Sequence, residues 1–169
     1  REPDLVEALD QLAKTAADVV YVVDSFGALY CEQIEYLVKL YKQHLPGKTI
    51  GVHCHNNQQL AFSNTIEGII HNANYLDASL YGIGRGPGNC CLELLMGFLK
   101  NPKFDLRPVL KVIQDYMLPM RDEIEWGYLI PYMITGMLNE HPRFAIERRK
   151  TADKDKYAEF YEELSTELP

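Results

Sequence analysis

Stretches with helical periodicity alternate along the chain with short runs of β-branched and aromatic residues. Apolar residues recur at helical spacing in residues 4–16, 31–44, 57–71 and 90–100, and β-prone runs lie at residues 18–23, 49–52 and 74–80. The first of these runs is almost unbroken in apolar residues, which is typical of a parallel strand buried on both faces. Three repeats of helix and strand therefore predict an α/β fold with a parallel sheet and right-handed crossovers.

Polar residues follow each β-prone run, at the points where we expect the strands to end. They lie in residues 24–29, 51–57 and 77–89. Open α/β sheets and (β/α)8 barrels bind their ligands at the carboxyl ends of parallel strands. The pattern therefore predicts that these three segments meet in one site.

The second strand end carries the sequence GVHCHNN at residues 51–57. Side chains alternate along a strand, so His53 and His55 share a face, roughly 6.5 to 7 Å apart, while Cys54 faces away from them. Two imidazoles in this arrangement can bind one metal ion at the accessible end of the strand. The alternative is a pair of half-buried histidines with solvated edges, because histidine is a common metal ligand but not an obligatory one.

The other two strand ends carry carboxylates and hydroxyls. Asp24 can hold a metal-bound water or a neighbouring ligand and take part in catalysis, and Ser25 beside it can contact a substrate. Alternatively, these residues cap the loop or the next helix, which is a common role of Asp and Ser. Asp77 and Ser79 share a face of the third strand, where they either support the histidines by hydrogen bonds or form a polar strand end.

The third strand leads into a glycine-rich loop, GIGRGPGN at residues 82–89. It is not a dinucleotide-binding fingerprint, because a proline stands where the third glycine of that motif belongs. The loop offers flexible backbone at Gly84 and Gly86 for contact with a substrate, and a cation at Arg85. Asn89 opens the next helix, where anions are attracted. The alternative is a tight strand-to-helix turn in which Asn89 is only a cap.

Charge and cysteine content limit the class of partner and the compartment. The formal net charge of −7 and the pI of about 5.2 argue against nucleic acid or an anionic membrane as the main partner. No apolar run approaches the ~20 residues that are needed to span a bilayer. The four cysteines include no CxxC pair and two are adjacent, so we expect free thiols in a reducing, cytoplasmic setting.

From residue 105 onward no strand pattern remains. Three prolines interrupt residues 105–139, which predicts two or three helices there. Residues 147–169 are expected to form an amphipathic helix, with apolar positions at Tyr157, Phe160, Tyr161 and Leu164. We therefore divide the chain into an α/β unit, residues 1–104, and a helical extension, residues 105–169.

Taken together, the strand ends resemble the metal-dependent aldolase/lyase superfamily. The resemblance is carried by the segments DSFGAL (24–29), GVHCHNNQQLAFSN (51–64) and DASLYGIGRGPGN (77–89), with LE at 92–93. The superfamily contains 4-hydroxy-2-oxovalerate aldolase, hydroxymethylglutaryl-CoA lyase and the isopropylmalate and homocitrate synthases. The resemblance implies that the three units are the last three βα units of a (β/α)8 TIM barrel. It is nearest to the aldolases, because the loop lacks the cysteine found in hydroxymethylglutaryl-CoA lyases.

The resemblance also implies roles for single residues. His53 and His55 would be metal ligands, Asn89 would lie at or near the metal, and the loop at residues 82–88 would close over the substrate. The cofactor would be a divalent ion, Mn2+ or Mg2+, with Zn2+ as an alternative. The reaction would cleave or form a carbon–carbon bond of a 2-oxo acid, with the ion as Lewis acid. From their positions at the strand end and in the loop, we expect Asp24 and Arg85 to be catalytic residues.

The first strand of that family supplies an Arg-Asp pair, and strands one to five have no counterpart in this sequence. Three βα units cannot close a barrel of about eight strands. We therefore expect the chain to be cut from a longer protein, to need the remainder of the barrel as a partner, and to be inactive alone. Further candidate partners are a second copy of the protein and an aldehyde dehydrogenase. The alternative functions are a synthase that condenses an acyl-CoA with a 2-oxo acid, and a degenerate barrel that acts as a scaffold.

Overall fold

The computed structural model describes residues 2–166, in which three parallel strands alternate with helices. The strands are β1 (Val19–Asp24), β2 (Thr49–Cys54) and β3 (Tyr75–Leu76), in the spatial order β1-β2-β3. The helices of this part are α1 (Glu2–Ala13), α2 (Cys31–His44), α3 (Ala61–Ile70) and α4 (Leu92–Leu99). The predicted α/β architecture with a parallel sheet is confirmed.

The main core lies between one face of the sheet and the helices. Val22 of β1 and Val52 of β2 pack there with Ile34 and Val38 of α2, and all four side chains are almost fully buried. Burying an aliphatic side chain of this size stabilises a fold by about 1.5–3 kcal/mol. This layer therefore holds the strand ends in fixed relative positions.

The prediction that β1 is buried on both faces is wrong. Its burial alternates along the strand, and Val23 is 46% exposed. Val19, Tyr21 and Val23 point away from the helices and are not part of the core cluster. In the part of the chain that the structure describes, the sheet is thus covered on one side only.

Two predicted elements are shorter in the structure. The helix expected at residues 57–71 begins at Ala61, because a tight turn precedes it and the Asn56 Oδ1 atom accepts a hydrogen bond from the Ala61 N–H at 3.1 Å. The strand expected at residues 74–80 is reduced to β3. The backbone of Ser79 donates to the carbonyl of Cys90 at 2.9 Å, so the chain leaves the sheet there and pairs with the end of the glycine-rich loop.

The C-terminal part is helical, as predicted. It contains α5 (Leu106–Val112), a π-helical turn (Ile113–Met117), α6 (Leu118–Met120), α7 (Ile130–Met137), α8 (Arg143–Arg148) and α9 (Tyr157–Thr166). In α9 Phe160 and Leu164 are buried, but Tyr161 is largely exposed. Residues 167–169 of the predicted tail helix lie outside the described residues. Among the helices seen here, none is long and apolar enough to cross a membrane.

Candidate metal centre

The two histidines at the end of β2, His53 within the strand and His55 directly after it, lie together at the carboxyl edge of the sheet. Their ring centroids are 4.9 Å apart, with an angle of 74° between the ring planes. The His53 Nδ1 atom is 3.0 Å from Oδ2 of Asp77, and the His55 Nδ1 atom is 2.8 Å from the carbonyl oxygen of Asp24. The expected shared face of His53 and His55 is thus present, and each ring is oriented by a hydrogen bond.

These hydrogen bonds decide which ring nitrogen can bind an ion. A carbonyl oxygen and a carboxylate accept hydrogen bonds, so Nδ1 is the donor in both rings and Nε2 is the atom left to bind an ion. Burial lowers the pKa of His55, and the charges of His53 and Arg85 add to this effect, although the hydrogen bond to the Asp24 carbonyl opposes it; the ring is thus neutral at pH 7. Neutral imidazoles whose other nitrogen donates to a carboxylate or a carbonyl are typical metal ligands.

Asn89 lies next to His55 along the backbone. An isolated antiparallel bridge joins Asn89 to His55, and the Asn89 side-chain nitrogen donates to the Ile83 carbonyl at 3.0 Å. Its Oδ1 atom is buried and has no hydrogen-bond partner among the described residues. A buried acceptor without a partner costs about 1–3 kcal/mol, so such atoms need an explanation. A cation bound at His53 and His55 would satisfy this atom, so the three side chains fit a divalent metal.

Asp24 does not point toward the histidines. The strand register pairs Asp24 with Cys54, and side chains at that position face the helices. The carboxylate is 3% exposed and accepts hydrogen bonds from the backbone N–H groups of Ala28 at 3.0 Å and Leu29 at 3.3 Å. Burial raises the pKa of Asp24, although these N–H groups oppose the shift. The geometry therefore matches the loop-capping alternative, and the hydrogen bond from Asp24 to the centre comes from its carbonyl oxygen.

The expected substrate-contacting residues differ in their surroundings. A Cβ atom on Gly84 would lie 2.5 Å from the Asn89 side chain, and one on Gly86 would lie 2.5 Å from the Tyr132 ring. Both glycines thus allow close packing within the protein. Ser25 is exposed at the same edge as the histidines. Arg85 is also exposed, and its side chain has no hydrogen bond or ion pair within residues 2–166, so its guanidinium is free for an anion.

A second group of potential metal ligands lies on the helices outside the sheet. Glu35 of α2 and Glu67 and His71 of α3 place ligand atoms within 4.8 Å of one another. The His71 Nε2 atom is 2.8 Å from Glu67 and 3.8 Å from Glu35, which also pairs with Lys39. Sequence analysis missed this group, although the four-residue spacing of Glu67 and His71 was a readable signal.

The cysteines are free thiols, as expected. Cys54 is buried, and burial raises its pKa to about 12. Burial likewise raises the pKa of Cys91 to about 11 and that of Cys90 above its usual value. These thiols are therefore protonated near neutral pH and are poor ligands and nucleophiles.

Comparisons with known proteins show the family of the chain. Residues 2–115 match the HMGL-like family. A 4-hydroxy-2-oxovalerate aldolase from Thermus thermophilus is 36% identical over 141 residues, a match that covers 76% of this chain and 41% of the relative. Another aldolase of this kind, from Geobacillus stearothermophilus, is 32% identical over 157 residues, a match that covers 89% of this chain and 44% of the relative. An oxaloacetate decarboxylase from Mycobacterium tuberculosis is 37% identical over 103 residues, covering 59% of this chain and 30% of that protein.

Solved structures share the fold. The N-terminal domain of a protein from Bacteroides vulgatus, provisionally described as an aldolase, superimposes with a TM-score of 0.73 at 28% identity, over 89% of this chain and 50% of that one. The carboxyl transferase domain of Rhizobium etli pyruvate carboxylase, crystallised with pyruvate and biocytin, gives a TM-score of 0.71 over 96% of this chain and 29% of that one. At 15% identity, the second likeness shows the fold alone.

The chain spans less than half the length of the two aldolases described above. The family match, however, covers more than half of this chain and includes both histidines and Asn89. It confirms the resemblance that the strand ends indicated, and the chain belongs to the HMGL-like family.

Proposed function

We propose that the complete protein is a divalent-metal-dependent lyase of the aldolase type, which cleaves or forms a carbon–carbon bond of a 2-oxo acid. One observation carries this proposal: the Nδ1 hydrogen bonds of His53 and His55 leave both Nε2 atoms for an ion, and Asn89, which pairs with His55, has a buried Oδ1 atom without a partner. The aldolases among the relatives support it, with identities of 32% and 36%.

His53, His55 and Asn89 would hold the ion. Two imidazole nitrogens and one amide oxygen suit Mn2+ or Mg2+, with Zn2+ as an alternative. Bound there, such an ion supplies Lewis-acid polarisation of a substrate carbonyl. The protein contributes the orientation of both rings through Asp77 and the Asp24 carbonyl, because these groups keep the two protons on Nδ1.

Arg85 would bind the carboxylate of the 2-oxo acid. Its guanidinium is exposed and close enough to His55 for its charge to lower the pKa of that residue. A planar guanidinium can bind a carboxylate through two parallel hydrogen bonds. We assign Ser25 and the backbone at Gly84 and Gly86 to the walls of the same substrate site.

We further propose that residues 1–104 are the last three βα units of a TIM barrel, and that residues 105–169 extend it. The outer edges of β1 and β3 pair with no described strand, and the face of β1 that carries Val23 is open. An apolar groove lined by Tyr75, Leu76 and Leu99, among others, follows β3. Exposed strand edges and apolar grooves of this kind need a cover. The remainder of the barrel would cover these edges and this groove. The isolated chain, which lacks it, would be inactive.

A second candidate reaction is decarboxylation of a 2-oxo dicarboxylic acid. The similarity to an oxaloacetate decarboxylase favours it, and this reaction also breaks a carbon–carbon bond of a 2-oxo acid. Partners beyond the barrel, namely a second copy or an aldehyde dehydrogenase, and a cytoplasmic location are part of the same proposal.

Metal content and product analysis of the complete protein test these proposals. The wild type should bind one Mn2+ per chain, and His53→Ala with His55→Ala should abolish binding and activity while the fold is kept. Changing Glu67 and His71 to Gln is the matched control, because it removes the second group of potential ligands and should leave both properties unchanged.

Substrate panels separate the reactions. Release of pyruvate from a 4-hydroxy-2-oxo acid supports the aldolase, whereas release of CO2 from oxaloacetate alone supports the decarboxylase. Release of free thiol from acetyl-CoA identifies a condensing synthase, and failure of the wild type to bind metal identifies a scaffold. Aldol cleavage by the isolated 169-residue chain would contradict the proposal that it needs the rest of a barrel.

A further inference from the structure

Residues of the helical extension hold the start of the glycine-rich loop. Trp126 is 2% exposed, and its Nε1–H group donates to the carbonyl oxygen of Tyr81 at 2.9 Å. The two rings meet edge to face, with centroids 6.1 Å apart. Arg121 lies over both rings at 5.1 and 5.2 Å, and it donates to the Tyr81 hydroxyl and to the Trp126 carbonyl. We call these three residues the loop anchor.

The backbone of Tyr81 needs such support. Its φ angle is 53°, in the left-handed region that residues with a Cβ atom seldom adopt. The Tyr81 N–H donates to Glu93 at 3.0 Å on one side, and Trp126 binds the Tyr81 carbonyl on the other. A strained residue persists where its surroundings hold it, and this one lies directly before the loop.

The anchor is connected to the candidate metal ligand in two short steps. Ile83 packs against the cluster that contains Trp126, and its carbonyl oxygen accepts the hydrogen bond from the Asn89 side-chain nitrogen at 3.0 Å. That bond leaves the Asn89 Oδ1 atom as the buried atom without a partner. The position of Ile83 therefore decides where this oxygen points.

The middle of the loop is held from the same side. The Gly127 N–H donates to the Gly86 carbonyl at 3.1 Å, directly after Trp126 in the sequence. The end of the loop is held by the strand, since the Asn56 N–H donates to the Gly88 carbonyl at 2.9 Å. Hydrogen bonds thus hold the loop at its start, middle and end.

We propose that Trp126, supported by Arg121 and Tyr81, is a positioning residue of the metal centre. It keeps the glycine-rich loop in its fastened shape and so aims Asn89 Oδ1 at the ion. The helical extension is then part of the centre. This inference rests on the proposed role of Asn89 as a metal ligand.

The test uses Trp126→Phe in the complete protein, which removes the Nε1–H donor and keeps a buried ring. We expect Mn2+ affinity to fall about 10- to 100-fold, as for other groups that hold a ligand in place. In the metal-free protein, hydrogen exchange of the Asn89 and Gly88 amides should be about tenfold faster, because their hydrogen bonds open more often. Arg121→Lys keeps the charge but loses the flat stacking surface and should show smaller changes of the same kind.

Leu164→Ala is the matched control, because Leu164 is equally well buried but lies in a separate cluster with Phe160. It should lower the melting temperature and leave Mn2+ affinity and loop exchange unchanged. Wild-type loop exchange in Trp126→Phe, or equal effects of both variants, overturns the positioning role. A different outcome is that the wild type binds no Mn2+ while hydrogen exchange of the loop amides is still faster in Trp126→Phe than in Leu164→Ala. That result would confirm that the loop anchor holds the loop and would contradict the proposed function.

Discussion

The Asp77–His53 hydrogen bond allows a graded test of the metal centre. The Asp77 carboxylate is 3.0 Å from the His53 Nδ1 atom, and its side chain is 46% exposed. Removal of such a partner weakens metal binding by about 10- to 100-fold. Because solvent screens this half-exposed carboxylate, we expect Asp77→Ala to reach only the lower limit, about tenfold or ~1.4 kcal/mol. Asp77→Asn keeps an acceptor oxygen without the charge, so it should lose less Mn2+ affinity than Asp77→Ala.

The assay is calorimetric titration of the metal-free complete protein with Mn2+, together with a melting curve for each variant. Asp10→Ala is the matched control, since Asp10 makes a similar contact of 3.1 Å with His44, on helices α1 and α2. We expect this control to bind Mn2+ like the wild type. Asp77→Ala binding within twofold of the wild type, or an equal loss in Asp10→Ala, would refute the orienting role of Asp77.

Three further predictions concern the loop and the thiols. Arg85→Lys should lower kcat/KM for a 2-oxo acid about tenfold or more with little change in melting temperature, because the fork geometry of the guanidinium is lost while the charge is kept. Unchanged kinetics would show that Arg85 is a solvated surface charge without a role in substrate binding. Gly88→Ala should destabilise the fold by about 1–3 kcal/mol, because φ is +78° and the new Cβ atom would meet a backbone oxygen at 1.9 Å. Gly97→Ala, in open space on α4, should instead be neutral or slightly stabilising in the same melting experiment. Cys54 and Cys91, with pKa values raised to about 12 and 11, should resist alkylation at pH 8 in the native protein and react after unfolding in urea, with native reactivity rising above about pH 10. Rapid native labelling at pH 8 would contradict the burial of Cys54 and the partial burial of Cys91.

Local patterns in the sequence predicted the elements whose determinants are local. Helix α2 has the predicted bounds, residues 31–44, because an amphipathic stretch is followed by Pro46-Gly47. The shared face of His53 and His55 follows from alternation along one strand. The open face of β1 was not predictable, since an apolar run indicates burial on both faces whether or not the covering layer lies in the same chain.

Contacts between distant segments account for the rest. The direction of the Asp24 carboxylate depends on the register that pairs it with Cys54, and a sequence does not state a register. The bond from Trp126 to the Tyr81 carbonyl joins residues that lie 45 positions apart. This bond and the bonds from Gly127 to Gly86 and from Asn56 to Gly88 hold the glycine-rich loop, and no periodicity in these segments indicated them.

The position of the ion itself tests the central claim most directly. Crystals of the complete protein grown with Mn2+ can be measured at the manganese absorption edge, and the anomalous signal locates the metal. We predict one peak bounded by the Nε2 atoms of His53 and His55 and by Oδ1 of Asn89. A peak between Glu67 and His71 instead, or no ordered manganese at the strand ends, would contradict the account.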